Sequence, residues 1–300
     1  MGGIFGLFAD NDIYGAIETG DKKRVEKILK RSPDVVNAVT TYGETPLHEA
    51  AYRGDTDTAN LLISKGADVN AVTTDGLTPL HKASMGDTDT ANLLISKGAD
   101  VNAVTTDGLT PLHKASMGDT DTANLLISKG ADVNAVTTDG ITPLYKASEL
   151  GYTDTANLLI SKGADVNAMT TDGITPLHAA SALGYIDTAN LLISKGADVN
   201  AKGTDGITPL HAAIMSGCTE LTSDRETAKL LIDRGADVNA VTTDGITPLH
   251  AASALGHPYT AKLLIDKGAD VNAKDKEGST PLFLLTNWVH MFFVKVGILA

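Results

Sequence analysis

The chain has 300 residues and a net charge of −13, with 24 Lys and Arg against 37 Asp and Glu. This negative field repels phosphate backbones and anionic lipid, so it argues against nucleic acid as a partner. The single cysteine excludes an intrachain disulfide framework and favours a reducing, cytoplasmic compartment.

The first forty residues differ from the rest of the chain. Residues 1–9 form an apolar N-terminal leader, in which no basic residue precedes the apolar patch and the run is too short for a signal-peptide core. We therefore do not expect an export signal. Residues 10–40 predict a pair of helices with many charged residues, as expected where the end of a stack meets water.

A repeating unit begins at residue 41. Residues 72–103 are identical to residues 104–135, and looser copies flank both. Thr-Pro-Leu triplets recur at intervals of 32 or 33 residues, except for one interval of 39 between Pro209 and Pro248. A unit of this length cannot bury its apolar face alone and must stack on its neighbours. The period therefore predicts a solenoid.

Each unit has the start and stop signals of two helices. In one copy, Thr175 stands at an N-cap position, Pro176 at the first helical position and Gly184 at the end of the helix. For the second helix of the same copy, Asp187 or Thr188 is the predicted cap. We expect a short, Ala-rich first helix and a second helix that carries the larger apolar side chains.

The pattern "DGxTPLHxAAxxG…LLxxGADVNA" resembles the ankyrin repeat over about residues 10–285. The resemblance implies an all-α ankyrin-repeat solenoid of about nine repeats, with helix-turn-helix units joined by β-hairpin loops and a concave binding face. On this reading, residues 10–40 are the N-terminal capping repeat, residues 41–279 the array, and residues 280–300 an incomplete final repeat with an apolar tail.

A histidine recurs in the Thr-Pro-Leu-His motif and raises the question of a metal site. Ligands of one zinc ion lie about 2.0–2.1 Å from it, whereas equivalent residues of stacked helices lie about 8–10 Å apart. In two other repeats Tyr145 and Phe283 replace the histidine. We therefore predict packed rings, bonded to threonine hydroxyl or backbone groups, and neither a metal nor another cofactor. The histidines are His48, His81, His113, His178, His211 and His250.

The sequence does not indicate an enzyme. Paired acids such as Asp55 and Asp57 fall at predicted helix starts, where carboxylates cap backbone amides. The chain contains no GxxxxGK[ST] phosphate loop, no HExxH and no GxSxG. We predict no catalytic residue.

The resemblance implies binding of a protein partner through the hairpin tips, the residue before each Thr-Pro and the end of each first helix. The sequence thus predicts a monomeric, non-catalytic interaction scaffold. The matching positions are Thr74, Asp75, Leu77, Met85, Thr106, Asp107, Leu109, Met117, Thr138, Asp139, Ile141, Glu149, Leu150, Thr171, Asp172, Ile174, Leu183, Asp205, Ile207, Met215, Thr243, Asp244, Ile246 and Leu255.

Three irregularities interrupt the array. Two repeats lack one residue, which predicts shorter first helices ending near Met85 and Met117. An insertion, Cys218 to Asp224, is predicted to loop out between helices, where inserted loops often carry function. Lys82, Lys114 and Lys146 follow the histidine position in three consecutive repeats, where alanine stands in later ones. This step either makes part of the groove basic or reflects duplication of the repeats.

The apolar tail leaves three alternatives open. It can form a hydrophobic capping helix, insert into a membrane through residues 282–300, or mark a truncated array. The alternative function is therefore a membrane-tethered ankyrin protein, or an effector that an intracellular bacterium secretes into the host cytosol. The resemblance also makes the asparagine of each "GADVNA" a candidate for enzymatic hydroxylation.

Overall fold

The structure is a computed structural model that describes residues 12–215 and 221–286. The predicted leader, Cys218 and residues 287–300 of the tail lie outside these ranges. Within them the chain forms pairs of α-helices and no strand. The first helices are Ile13–Glu18, Pro46–Tyr52, Pro79–Ala83, Pro111–Ala115, Pro143–Glu149, Pro176–Ala182, Pro209–Met215 and Pro248–Ala254. The second helices are Lys22–Arg31, Thr56–Ser64, Thr88–Ser96, Thr120–Ser128, Thr153–Ser161, Ile186–Ser194, Leu221–Asp233 and Pro258–Asp266.

A 3₁₀ helix, Pro33–Asn37, follows the first pair, and residues 281–286 are helical. The chain divides into two compact units, Met1–Pro143 and Leu144–Ala300. Within each unit the helices bury leucines fully, as Leu80 of a first helix and Leu94 of a second helix illustrate. Burying a leucine contributes about 1.5–3 kcal/mol, so the stacking of repeats supplies the core that one repeat lacks.

Thr-Pro-Leu-His starts the first helices with a reciprocal cap. In the repeat of Thr78, the threonine Oγ1 accepts a hydrogen bond from the backbone N–H of His81, and the Nδ1 atom of His81 accepts one from the N–H of Thr78 over 3.1 Å. Pro79 at the first helical position has no N–H to satisfy. The predicted N-cap at Thr175 is confirmed, because its Oγ1 accepts from the N–H of His178.

The other ring nitrogen of each histidine reaches the following repeat. Nε2 of His81 lies 3.0 Å from the carbonyl oxygen of Leu109. A carbonyl only accepts, so Nε2 carries the proton and Nδ1 is the acceptor. The prediction of a packed, hydrogen-bonded ring is therefore confirmed, with a bond between repeats in addition. The same 2.9–3.1 Å contact joins His48 to Leu77, His113 to Ile141, His178 to Ile207, His211 to Ile246 and His250 to Ser279.

Burial lowers the pKa of four of these rings. It lowers the pKa of His48, His178 and His211, and it lowers the pKa of His81 to about 4. Water no longer solvates the charged ring, and a proton on Nδ1 would face the N–H that this atom now accepts from. These four histidines are therefore neutral at physiological pH.

The second helices begin immediately after the turn that ends the first. In one copy the Oδ1 atom of Asp119 accepts a hydrogen bond from the N–H of Thr122 over 2.9 Å. The prediction of Asp187 or Thr188 as a cap is wrong. That helix begins at Ile186, and Tyr185 takes the N-cap position because its N–H is tied to Ala180 over 2.9 Å.

The structure tests two of the predicted irregularities of the array. Pro79–Ala83 and Pro111–Ala115 have five residues against seven in Pro46–Tyr52, which confirms the predicted shortening. The predicted inserted loop is wrong for residues 221–224. They belong to the 13-residue helix Leu221–Asp233, which extends backward because its sequence contains neither Gly nor Pro.

Among residues 12–215 and 221–286, no helix combines the length and apolar character that crossing a bilayer requires. In the final described segment, Leu282 is 67% exposed and Phe283 is 53% exposed. The three alternatives for the tail remain predictions.

Candidate functional site

The hairpin tips are closed by a small set of hydrogen bonds within each loop. In one copy the N–H of Thr73 donates to the carbonyl of Leu77 over 2.9 Å, and the N–H of Leu77 donates to the hydroxyl of Thr73 over 3.0 Å. The N–H of Gly76 closes the turn on the carbonyl of Thr73 at 2.9 Å. Thr74 and Asp75 stand at the apex, where both are exposed.

Neighbouring tips are bonded to each other through the backbone. The N–H of Thr106 donates to the carbonyl of Asp75 over 2.9 Å, and the N–H of Thr138 donates to that of Asp107 over 2.9 Å. The main chain of each tip is thus part of the scaffold, while the aspartate side chains are exposed to solvent. The tip positions of the second unit are exposed as well, namely Thr171, Asp172, Asp205, Thr243 and Asp244.

Tight approach between neighbouring tips explains the glycine of loops such as that of Gly108. Gly108 has a φ of +81°, and a Cβ at this position would lie 3.0 Å from the Cα of Thr137. Only glycine adopts this backbone without strain and leaves room for the neighbouring loop. The backbones of neighbouring tips within one unit are therefore closely packed.

The residue before each Thr-Pro belongs partly to the scaffold and partly to the surface. Leu77, Leu109 and the isoleucines at the matching positions are half-buried. The carbonyl of Leu109 accepts the bond from His81, while part of its side chain reaches the surface. These predicted site residues thus belong partly to the scaffold. The isoleucines are Ile141, Ile174, Ile207 and Ile246.

Exposed apolar side chains stand at the ends of the first helices. Met85 is 54% exposed, and the predicted residues at this place in other repeats are exposed as well. They are Met117, Leu150, Leu183, Met215 and Leu255. Glu149 differs, because its carboxylate is half-buried and pairs with Lys146 at 2.9 Å.

Sequence reasoning missed further exposed apolar residues at equivalent positions. Tyr52 is 60% exposed and stands six residues after Pro46, as Met85 does after Pro79. Val72, seven residues before Pro79, is also 60% exposed. Alignment of the repeats on their prolines would have identified both positions. The valine position is also exposed in Val39, Val104, Val136, Met169 and Val241.

Ion pairs compensate two of the predicted basic groups on the first helices. The Nζ atom of Lys82 lies 2.7 Å from a carboxylate oxygen of Glu44, and Lys146 is bound to Glu149. The expected basic part of the groove is therefore neutralised at these two repeats.

The chemistry of these positions suits contact more than catalysis. Tip carboxylates, hydroxyl groups and apolar side chains surround a backbone that is already hydrogen-bonded. In the described residues, no group of three or more His, Cys, Asp or Glu side chains is placed to hold a metal ion. Both nitrogens of His81 are used by Thr78 and Leu109.

Comparison with known proteins identifies the repeats. The family model "Ankyrin repeats (3 copies)" matches residues 13–105, 86–170, 118–203, 163–240, 201–275 and 221–291. The chain is 41% identical over 59 residues to the 2-5A-dependent ribonuclease of Mus musculus, which is 20% of this chain and 8% of that protein. It is 54% identical over 44 residues to the putative ankyrin repeat protein FPV244 of fowlpox virus (strain NVSL), 15% of this chain and 6% of that protein.

The chain thus spans less than a tenth of the length of either relative. The family model, in contrast, accounts for nearly all of it. Ankyrin repeats generally mediate protein–protein interaction and are typically non-enzymatic. The matched motifs, the helix pairs and the stacked hairpins agree, and the chain belongs to the ankyrin-repeat family.

Proposed function

We propose that this protein is a non-catalytic interaction scaffold that binds a protein partner through the hairpin tips and the ends of its first helices. The observation that carries the proposal is the recurrence of an exposed apolar side chain at the end of successive first helices, beside exposed tips. Met117, Leu183 and Met215 are 43%, 43% and 46% exposed. Such side chains gain about 25 cal/mol per Å² when a partner covers them.

The scaffold supports this role because the surface is ordered before binding. The ladder between tips and the bonds from each histidine to the next repeat fix the backbone beneath the exposed side chains. A preorganised surface loses less conformational entropy on association, so more of the contact energy appears as affinity.

The exposed groups favour protein over nucleic acid. The tips present Asp75, Asp107 and Asp139, and the chain as a whole has a net charge of −13. Phosphate groups would be repelled by these carboxylates, whereas a protein surface can combine apolar contacts with lysine or arginine. We propose that the unit that binds is a single copy of the chain.

The test compares two variants that carry the same added charge. The first is Met117→Glu, Leu183→Glu, Met215→Glu and Leu255→Glu, which places carboxylates at the first-helix ends. The matched control is Asn60→Glu, Asn92→Glu, Asn124→Glu and Asn157→Glu, at exposed positions of second helices. All eight sites are exposed, so both variants should melt within a few degrees of the parent chain.

Affinity capture from the source cells with the three full-length chains provides the readout. We expect the parent and the control to retain the same protein and the first variant to lose it. Loss with the control alone would place binding on the second helices and contradict the proposal. Turnover of a captured molecule by the purified chain would contradict the non-catalytic role.

A further inference from the structure

A cleft of about 420 Å³ opens between the first two Thr-Pro repeats. Its lining includes Tyr52, Arg53 and Gly54 of one repeat and Lys82 and Met85 of the next. Ligand sites in proteins have volumes of about 300–1,000 Å³, so the cleft is large enough for one side chain of a partner.

The cleft lies where a long first helix stands beside a short one. Pro46–Tyr52 has seven residues and Pro79–Ala83 has five, so the chain turns away earlier in the second repeat. The glycines of the turns that follow these two helices differ in conformation, with a φ of +66° at Gly54 and +146° at Gly86. The missing residue of this repeat therefore leaves open the space beside Tyr52.

Charged groups around the cleft already have partners. Arg53 pairs with Glu49 through its Nε atom, and the Nζ atom of Lys82 lies 2.7 Å from Glu44. The Oδ1 atom of Asp87 accepts the N–H of Thr90 over 2.6 Å. Each of these charged groups thus already has an opposite charge or a backbone N–H beside it. The charge pattern thus favours an uncharged side chain.

The apolar groups of the cleft, in contrast, remain open to solvent. Tyr52 is 60% exposed and Met85 is 54% exposed. Lys82 lies 5.7 Å from the centroid of the Tyr52 ring, which orders the aromatic wall. Tyrosine and methionine both make favourable contacts with aromatic rings, and tyrosine is enriched among the residues that dominate binding interfaces.

From these observations we infer that the cleft between Tyr52 and Met85 is the anchor point of the binding surface and takes an aromatic side chain of the protein partner. The inference rests on the proposed function and makes it more specific. Asn92 provides a control, because it is exposed on the second helix Thr88–Ser96 and does not line the cleft.

Phage-displayed 12-residue peptides provide the probe. The library is selected on the full chain, and the recovered peptides are synthesised and titrated against the parent and against Tyr52→Ala, Met85→Ala and Asn92→Ala. We expect the peptides to share a Trp, Phe or Tyr whose replacement by Ala weakens binding at least tenfold. Tyr52→Ala and Met85→Ala should each weaken binding at least tenfold, and Asn92→Ala less than twofold. Circular dichroism should show the same melting curve for all four chains.

Other outcomes would overturn the anchor. These are recovered peptides without a shared aromatic residue, no recovered peptide, or equal affinity for the parent and Tyr52→Ala. Sedimentation showing self-association that Tyr52→Ala abolishes would identify a second copy as the occupant instead. Peptides that bind Tyr52→Ala normally but fail on the four-glutamate first-helix variant would refute the anchor and leave the proposed function intact.

Discussion

His81 donates a hydrogen bond from Nε2 to the carbonyl oxygen of Leu109 over 3.0 Å, which joins the start of one first helix to the hairpin of the next repeat. Its Nδ1 atom accepts the N–H of Thr78 over 3.1 Å. One buried ring therefore caps its own helix and couples two repeats.

Replacement of this ring should destabilise the stack. His81→Phe keeps an aromatic ring but removes both bonds. It leaves the N–H of Thr78 unsatisfied, while the carbonyl of Leu109 keeps only the N–H of Thr105. We expect the free energy of unfolding to fall by about 2–4 kcal/mol in urea titrations. His257→Phe is the control, because the Nδ1 atom of His257 is buried and makes no hydrogen bond within the described residues. An equal loss in both variants would contradict the coupling role.

Acid should weaken the fold through the same histidines. Burial lowers the pKa of His81 to about 4, while an unfolded histidine titrates near 6.5. As pH falls below 6.5, the unfolded chain gains protons that the folded chain does not bind, so the free energy of unfolding decreases until pH approaches 4. Urea midpoints measured from pH 7 to 4.5 should fall steadily. In His81→Phe the urea midpoint should fall less steeply with decreasing pH than in the parent chain. An identical pH dependence in both chains would contradict the role of His81 in acid destabilisation.

Two glycines separate backbone strain from crowding between hairpins. Gly130 has a φ of +94°, and a Cβ added there would meet no atom within 4 Å. At Gly108, with a φ of +81°, an added Cβ would lie 3.0 Å from the Cα of Thr137. Gly130→Ala should lower the free energy of unfolding by about 1–2 kcal/mol through backbone strain alone. Gly108→Ala should lower the free energy of unfolding by about 1–3 kcal/mol more than Gly130→Ala does, because the next hairpin must move. Thermal unfolding of the two variants compares them directly, and equal costs would argue against tight hairpin packing.

The two aspartates at the start of one second helix, Asp119 and Asp121, should contribute unequally to the stability of the fold. Asp119 accepts the N–H of Thr122 over 2.9 Å, while Asp121 lies in the first turn. Asp119→Ala should lower stability by about 1 kcal/mol through loss of the cap. Asp121→Ala should cost a few tenths of a kcal/mol, since it loses only the interaction with the helix dipole. A larger effect at Asp121, measured by urea unfolding, would contradict the assignment.

The repeat pattern was sufficient to predict the helices and the scaffold role of His81, because Thr-Pro and Gly act through local geometry. It was insufficient at Tyr185, where an aromatic residue takes an N-cap position although the nearby Asp187 is the better capping residue by type. It also failed at Leu221, where an insertion lengthened a helix. The cleft beside Tyr52 depends on two adjacent helices of unequal length and could not be read from either repeat alone.

Hydrogen–deuterium exchange of the full chain, alone and with its captured partner, tests the binding surface most directly. Protection confined to the hairpin tips and the ends of the first helices, strongest around Tyr52 and Met85, is the predicted result. Protection confined to the second helices would contradict the account.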